Sequence, residues 1–174
     1  MKLSLLSMLV ILIASPIWPI GDNPMVGDPF LIVNVKKNEL AYVNEGEIKE
    51  VYKVATGKSG DETPLGTFTI IVKAKDPYYR KKDIPGGDPT NPLGSRWIGF
   101  NANDTDGRTF GIHGTNRPGS IGYSVTAGCI RLPNTIVEEL FEEIPIGTTI
   151  YITDTEDPFI EIAKKFGAIK ENTW

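Results

Sequence analysis

The sequence contains one cysteine, Cys129, and one histidine, His113, separated by sixteen positions. A thiol is a strong nucleophile only as its thiolate, and a neighbouring imidazole favours the thiolate because it can accept the proton. The segment between the two residues contains several glycines and a proline, so it can fold back and bring the side chains together. The pair therefore indicates a Cys–His site for nucleophilic acyl transfer.

A glycine precedes the cysteine. Without a side chain at Gly128, a substrate could approach the backbone closely. The peptide N–H groups of residues 127–129 could then face the oxyanion that forms when a carbonyl carbon is attacked. The spacing alone leaves two other interpretations open. His113 could be a hydrogen-bonded residue at the end of a strand, and Cys129 could be a small apolar side chain in the core.

Length and charge restrict the class of protein. The chain has 174 residues, of which 40% are hydrophobic and 23% charged, which suits one domain with a sizeable core and not a disordered chain. A formal net charge of −4 argues against a nucleic-acid partner bound by phosphate neutralisation. One cysteine cannot build a disulfide framework, and one cysteine with one histidine falls short of a structural zinc site, so no metal is expected.

Residues 1–21 differ in composition from the rest of the chain. Lys2 precedes an apolar run, Leu3–Ala14, that is shorter than the roughly 20 residues that comfortably span a bilayer. This pattern predicts a secretory signal peptide and therefore export. A retained membrane anchor and a buried hydrophobic amino-terminal element are the alternatives. After export, an unpaired Cys129 would be either buried or used, because the compartment is oxidising.

Beyond Pro24 the chain consists of short β-type segments separated by turn residues. Seven segments are predicted as strands, at 30–35, 40–43, 48–56, 67–74, 97–100, 110–113 and 148–152. Their spacing of roughly ten residues favours a β-sandwich or barrel over alternating β-α-β units. The expected fold class is therefore mainly β, a single sandwich or barrel domain with one or two short helices. His113 would end the sixth strand, and Cys129 would follow it in a turn-rich segment.

Two segments are predicted as helices. Residues 135–143 have an apolar face and begin with a capping box that pairs Thr135 with Glu138. Residues 159–166 form the second, which ends at Gly167.

The segment Asp76–Ser95 is rich in proline, glycine and charged residues. A loop of this length inside a compact domain is usually functional or disordered. We expect it to lie near the site, where Tyr78 and Tyr79 would either contact the substrate or pack onto the sheet.

The stretch from His113 to Arg131 closely resembles a known active-site signature. The signature is a histidine followed at this distance by Ser/Thr-x-Gly-Cys, a hydrophobic residue and Arg or Asn, and the chain supplies Thr126-Ala127-Gly128-Cys129, Ile130 and Arg131. It is that of the YkuD-type catalytic domain of the L,D-transpeptidases. Segments 63–68, 91–97 and 144–150 resemble further elements of this family, so the resemblance extends over about residues 30–153. Thr126 replaces the commoner serine, and Ala127 stands where a polar residue is frequent, but neither removes a reacting group.

The resemblance implies an enzyme that acts on peptidoglycan stem peptides. In the family, a cysteine attacks the carbonyl of the third stem residue, releases the terminal D-alanine and passes the thioester to an amine of a neighbouring stem. Cys129 would be this nucleophile, and His113 its general base and later acid. Carbapenem-type β-lactams are the expected inhibitors. No metal, organic cofactor or obligate protein partner is implied.

Four further residues are implied at the site. Gly128, together with Cys129, would offer an amide to the oxyanion, and Thr126 belongs to the same substrate-binding turn. Arg131 would hold a substrate carboxylate or brace the loop. The backbone carbonyl of Gly114 would orient the histidine ring.

The resemblance also divides the chain. Residues 28–153 would form the catalytic domain, preceded by the signal peptide or anchor at 1–21 and followed by a helical tail at 154–174. The expected location is the cell wall or the outer face of the cytoplasmic membrane. Two other functions stay open: an L,D-carboxypeptidase that hydrolyses the same bond, and a non-catalytic wall-associated protein.

Overall fold

Strands predominate in residues 22–171, the part of the chain that the computed structural model describes. Ten strands and two α-helices occur in this range. They are β1 (Phe30–Asn34), β2 (Glu39–Asn44), β3 (Glu47–Lys53), β4 (Thr56–Gly57), β5 (Gly66–Lys75), β6 (Arg96–Phe100), β7 (Phe110–His113), β8 (Ser124–Thr126), β9 (Ile130–Arg131), α1 (Asn134–Glu143), β10 (Thr149–Thr153) and α2 (Phe159–Lys165).

Eight of these strands form one sheet in the order β3-β2-β1-β10-β5-β6-β7-β9. The pairs β1–β10 and β7–β9 are parallel, and the other neighbours are antiparallel. The sheet curls into a half-barrel. The short strands β4 and β8 pair separately, in parallel. The expectation of a mainly β domain with two short helices is confirmed.

Alternation of apolar side chains along the strands places the core on both faces of the sheet. Leu31 and Val33 of β1 belong to the main core, which α1 covers, whereas Phe30 and Ile32 belong to a second cluster that α2 covers. All five residues of β1 are buried, because this strand lies inside the sheet with an apolar cluster on each face. Residues 154–171 therefore pack onto the sheet through α2.

Three details differ from the sequence-based expectations. The predicted strand at 48–56 is divided into β3 and β4, and the two- or three-residue strands β8 and β9 are too short to leave an alternating pattern. The predicted capping box is wrong, because α1 begins at Asn134, one residue before Thr135, and has no side-chain cap. The Asn134 side chain bonds elsewhere, to the backbone of Thr115.

The predicted signal peptide or anchor at 1–21 lies outside the described residues. Within residues 22–171, neither helix has the length and apolar character that crossing a membrane requires.

Candidate active site

The two residues singled out for their chemistry lie at neighbouring strands: His113 ends β7, and Cys129 directly precedes β9. β7 and β9 run parallel, with Ile112 opposite Ile130 and His113 opposite Arg131. Ile112 and Ile130 are fully buried in the main core. Because side chains alternate along a strand, His113 and Arg131 lie on the other face of the sheet, and so does Cys129, which directly precedes Ile130. Strand register thus brings the cysteine and histidine to one face.

Trp97 forms a wall behind the histidine. It lies opposite His113 on β6, and its indole stacks on the imidazole with ring centroids 5.5 Å apart and an interplanar angle of 14°. The indole Nε1–H donates to the Gly107 carbonyl at 2.8 Å. A Cβ on Gly111 would lie 2.7 Å from this ring, so only glycine lets the tryptophan cover this part of β7.

The imidazole is held in one tautomer. His113 is 4% exposed, and its Nδ1 lies 2.6 Å from the Gly114 carbonyl oxygen. Since a carbonyl only accepts, Nδ1 carries the proton and Nε2 keeps a free lone pair. Burial lowers the pKa of His113 to about 4. The backbone carbonyls of Gly114 and, more weakly, Leu93 oppose this shift in pKa, and the Arg131 charge adds to it. The ring is therefore neutral at pH 7 and able to accept a proton.

The thiol of Cys129 is half-buried, and its hydrogen bond goes to the Thr109 carbonyl at 3.5 Å. Burial raises the pKa of Cys129, while the Gly111 N–H and the charges of Arg131 and Lys81 oppose the shift. The resting pair is thus a neutral thiol and a neutral imidazole, which differs from the expected thiolate. The S–H must leave the Thr109 carbonyl before it can be donated to the imidazole, and catalytic hydrogen bonds often form only in the substrate complex.

The turn before the cysteine depends on Gly128 and Thr126. Gly128 has a φ of +99°, and a Cβ there would lie 3.0 Å from the Phe110 ring. The Thr126 hydroxyl accepts the Gly128 N–H at 3.2 Å and donates to the Cys129 carbonyl at 2.6 Å. The Gly128 amide, expected to face the oxyanion, is thus occupied by Thr126. Thr126 closes the turn that presents the thiol.

Gly128→Ala should destabilise the protein by about 2 kcal/mol, because an L side chain is strained at this φ and would press on Phe110. Its midpoint of urea unfolding should fall. Gly119→Ala is the matched control, since Gly119 lies in the same connection with open space around its Cβ position. Equal stability of the two variants would contradict the assigned strain.

Arg131 supplies positive charge beside the thiol. Its Nε is buried without a hydrogen-bond partner, and within residues 22–171 no carboxylate lies in salt-bridge range of its guanidinium. Burial lowers the pKa of Arg131, and the neighbouring charge of Arg117 lowers it further, whereas Cys129 and Tyr79 oppose the shift. A cation in this state can bind an incoming anion without first breaking an ion pair.

The loop Asp76–Ser95 is shaped by a buried asparagine. The Asn91 side-chain amide donates to the carbonyls of Pro77 at 2.8 Å and Pro85 at 3.0 Å. The loop brings Lys81 close enough to affect the Cys129 thiol, in agreement with the expected position near the site. Tyr78 is exposed and bonds Asp83 of the same loop.

Sequence patterns did not predict the two backbone groups that interact with the Cys129 thiol. The Thr109 carbonyl and the Gly111 amide act through the backbone, so their residue types carry no signal, and only strand register identifies them. As for metals, residues 22–171 contain no cluster of three or more histidine, cysteine, aspartate or glutamate side chains that could hold one.

The low pKa of His113 couples stability to pH. The group titrates near 6.5 in the unfolded chain and at about 4 in the folded protein. The unfolded state therefore binds an extra proton between these values, so the free energy of unfolding should fall as the pH drops from about 6.5 to about 4, by up to about 3 kcal/mol.

His113→Gln removes this contribution, and other acid-sensitive groups cancel in the comparison. Urea unfolding of both proteins should be measured at several pH values from 7 to 4. As the pH falls, the free energy of unfolding of the wild type should decrease relative to that of the variant. A difference that is independent of pH would contradict the burial-lowered pKa.

Comparisons with known proteins identify the family to which the chain belongs. A family model described as the L,D-transpeptidase catalytic domain, YkuD, matches residues 28–152. The candidate L,D-transpeptidase YqjB of Bacillus subtilis is 54% identical over 160 residues, which cover 92% of this chain and 91% of that protein. The candidate L,D-transpeptidase YkuD of the same organism is 34% identical over 134 residues, which cover 74% of this chain and 71% of that protein.

Solved structures show the same fold. An L,D-transpeptidase from Mycobacterium smegmatis matches with a TM-score of 0.58 at 22% identity, over 72% of this chain and 58% of that one. A mutant of the Enterococcus faecium L,D-transpeptidase matches with a TM-score of 0.58 at 22% identity, over 74% of this chain and 50% of that one. This chain thus aligns with about half of each of these two solved chains. The family model matches most of this chain, and one relative is 54% identical to it. The chain therefore belongs to the L,D-transpeptidases, an enzyme family of acyltransferases, and carries their YkuD-type catalytic domain.

Proposed function

We propose that this protein is an exported L,D-transpeptidase that cross-links peptidoglycan by cysteine acyl transfer from a stem tetrapeptide. The observation that carries the proposal is the placement of Cys129 and His113 on one face of the parallel pair β7–β9, with the Nδ1–H of His113 bonded to the Gly114 carbonyl. This leaves the Nε2 lone pair free to act as a base.

The first half of the reaction forms a thioester. The Cys129 thiol turns from the Thr109 carbonyl and gives its proton to His113 Nε2 while the sulfur attacks the carbonyl carbon of the third stem residue. The resulting oxyanion needs amide donors. Because the Gly128 N–H already serves Thr126, we assign this role to the Cys129 N–H. The imidazolium then protonates the leaving amine, the C–N bond breaks and D-alanine departs.

The second half transfers the acyl group. An amine of a neighbouring stem peptide attacks the thioester carbon and gives a proton to His113 Nε2. The C–S bond breaks, the sulfur takes the proton back from the imidazolium, and the free thiol is restored. The products balance as one new amide and one free D-alanine, with no cofactor consumed.

The charge of the site supports an anionic peptide substrate. Arg131 and Lys81 lie near the thiol, and Arg117 lies near Arg131, in a chain whose formal net charge is −4. Stem peptides carry free carboxylates, including the terminal one that leaves with D-alanine. Local positive charge would favour their binding although the protein as a whole is acidic.

Structures of related proteins support inhibition by β-lactams. One structure is L,D-transpeptidase 3 from Mycobacterium tuberculosis in complex with a faropenem-derived adduct, which matches with a TM-score of 0.58 at 16% identity. Another is the avibactam carbamoyl enzyme of Ldtfm, at 21% identity, in which the group carried is a carbamoyl group and not a β-lactam acyl group. We propose that carbapenem-type β-lactams acylate Cys129. Their ring carbonyl is an acyl donor, so the sulfur would attack it as it attacks the carbonyl of the stem peptide.

Incubation of the purified protein with disaccharide-tetrapeptide muropeptides tests the proposal. A transpeptidase gives cross-linked dimers and free D-alanine, whereas an L,D-carboxypeptidase gives tripeptide monomers, and the two products differ in mass. Unchanged muropeptides, with retained wall binding, would favour the non-catalytic alternative. Addition of a second stem peptide as acceptor should increase the dimers and not the tripeptides.

Export is proposed from residues 1–21. Full-length protein produced in a Gram-positive host should be recovered from the wall fraction or the medium, and protein lacking residues 1–21 should stay in the cytoplasm. Mass spectrometry of the recovered protein distinguishes a removed signal peptide from a retained anchor. Equal distribution of the two forms would contradict export through this segment.

A further inference from the structure

The Gly114 carbonyl that holds His113 belongs to a peptide group fixed from its opposite side. The carbonyl oxygen of Gly114 and the N–H of Thr115 are the two ends of one planar trans peptide unit, so they point in opposite directions. The oxygen accepts the His113 Nδ1–H at 2.6 Å. The N–H donates to the side-chain Oδ1 of Asn134 at 2.9 Å. Rotation of this peptide would break both hydrogen bonds at once.

Asn134 fits this place through two glycines. A Cβ on Gly114 or on Gly94 would overlap the Asn134 Oδ1, so the amide oxygen lies in a notch that both residues leave open. The Gly114 N–H donates to the Arg96 carbonyl at 3.3 Å. The peptide units on both sides of Gly114 are therefore anchored, one to β6 and the other to Asn134.

The usual reason for an asparagine at a helix start does not apply here. Asparagine commonly caps a helix by accepting a backbone N–H of its first turn. In this protein α1 has no side-chain cap, and the Asn134 oxygen bonds Thr115, nineteen positions earlier in the chain. The side chain thus serves the segment after His113 and not the helix that carries it.

We propose that Asn134 is a positioning residue that fixes the His113 tautomer through the Gly114–Thr115 peptide. By accepting the Thr115 N–H, it turns and polarises the Gly114 carbonyl toward Nδ1, and so keeps the lone pair on Nε2, where the thiol proton must arrive. The catalytic consequence rests on the proposed function of His113 as the base. The tautomer itself does not depend on it.

The test uses the sole histidine of the chain, because its two ring nitrogens give an unambiguous pair of ¹⁵N resonances. At pH 7 the wild type should show a protonated Nδ1 and an unprotonated Nε2. In Asn134→Leu, which keeps the number and branching of side-chain heavy atoms but cannot accept a hydrogen bond, the two shifts should move toward each other as the tautomers mix. Asn134→Asp keeps an acceptor oxygen and should restore the wild-type pattern.

Activity provides the second readout. On tetrapeptide muropeptides, Asn134→Leu should lower kcat about 10²-fold with KM little changed, because the base is impaired and not the substrate contacts. Asn134→Asp should recover most of kcat. Asn116→Leu is the matched control for the tautomer: Asn116 lies in the same segment but donates to the Thr90 carbonyl, so its loss should leave the ¹⁵N pattern unchanged.

A wild-type protein protonated on Nε2 would overturn the proposal without any variant. An Asn134→Leu protein with the wild-type tautomer would also overturn it, whatever the activity of that variant. If Asn134→Leu does not fold, Asn134→Ala replaces it, because it removes the acceptor oxygen without adding bulk beside Gly94 and Gly114, and its two shifts should likewise move toward each other. An inactive wild type with the predicted tautomer would instead contradict only the proposed function.

Discussion

Cys129→Ser should reduce turnover of a stem tetrapeptide at least about 10³-fold while leaving the fold intact. The hydroxyl is a far weaker acid than the thiol, and a His113 whose pKa is about 4 is too weak a base to ionise it. The side chains are nearly isosteric and the site is half-buried, so the free energy of unfolding should change by less than about 1 kcal/mol. Mass spectrometry of the products and urea unfolding provide the two measurements.

Acylation by a carbapenem provides an independent check of the same residue. The wild type should gain one adduct per chain, located at Cys129, because the chain has no other thiol. Cys129→Ser should gain none over the same time. Wild-type activity in the serine variant, or an adduct on another residue, would contradict the assignment of the nucleophile.

His113→Gln should lower kcat by about 10²- to 10⁴-fold, the range that a general base contributes. Glutamine can still donate to the Gly114 carbonyl, but its amide cannot take the proton from the thiol. The activity of the wild type should be nearly constant with pH above about 5, since His113 is already neutral there, and should fall as the pH approaches about 4.

The variant should behave differently with pH. Without a base its residual rate should rise with pH toward the raised pKa of Cys129, because the thiolate must then form by loss of the proton to solvent. The pH–rate profiles of the two proteins, measured on one substrate, separate these cases. A wild-type rate that rises steeply between pH 6 and 7 would mean that His113 titrates as an ordinary exposed histidine.

The residues with reactive side chains were predictable from the sequence. Cys129 and His113 are each the sole member of their type, and a Ser/Thr-x-Gly-Cys motif at this distance from a histidine is specific. The mainly β fold was also predictable, because apolar alternation is a local property of each strand. The predicted helix near Thr135 was close to α1, but its capping was not, since the hydrogen bond of Asn134 goes to a segment distant in sequence.

The protonation and hydrogen bonding of the candidate catalytic groups could not be predicted in the same way. The register of β7 and β9 decides that the Thr109 carbonyl receives the thiol, and Thr126 decides that the Gly128 amide is occupied. Burial beneath Trp97 decides that His113 is neutral. The sequence by itself determined which atoms can react and on what class of fold. Only the tertiary structure decided their protonation and hydrogen bonding, because desolvation and contacts between distant segments do not exist until the chain is folded.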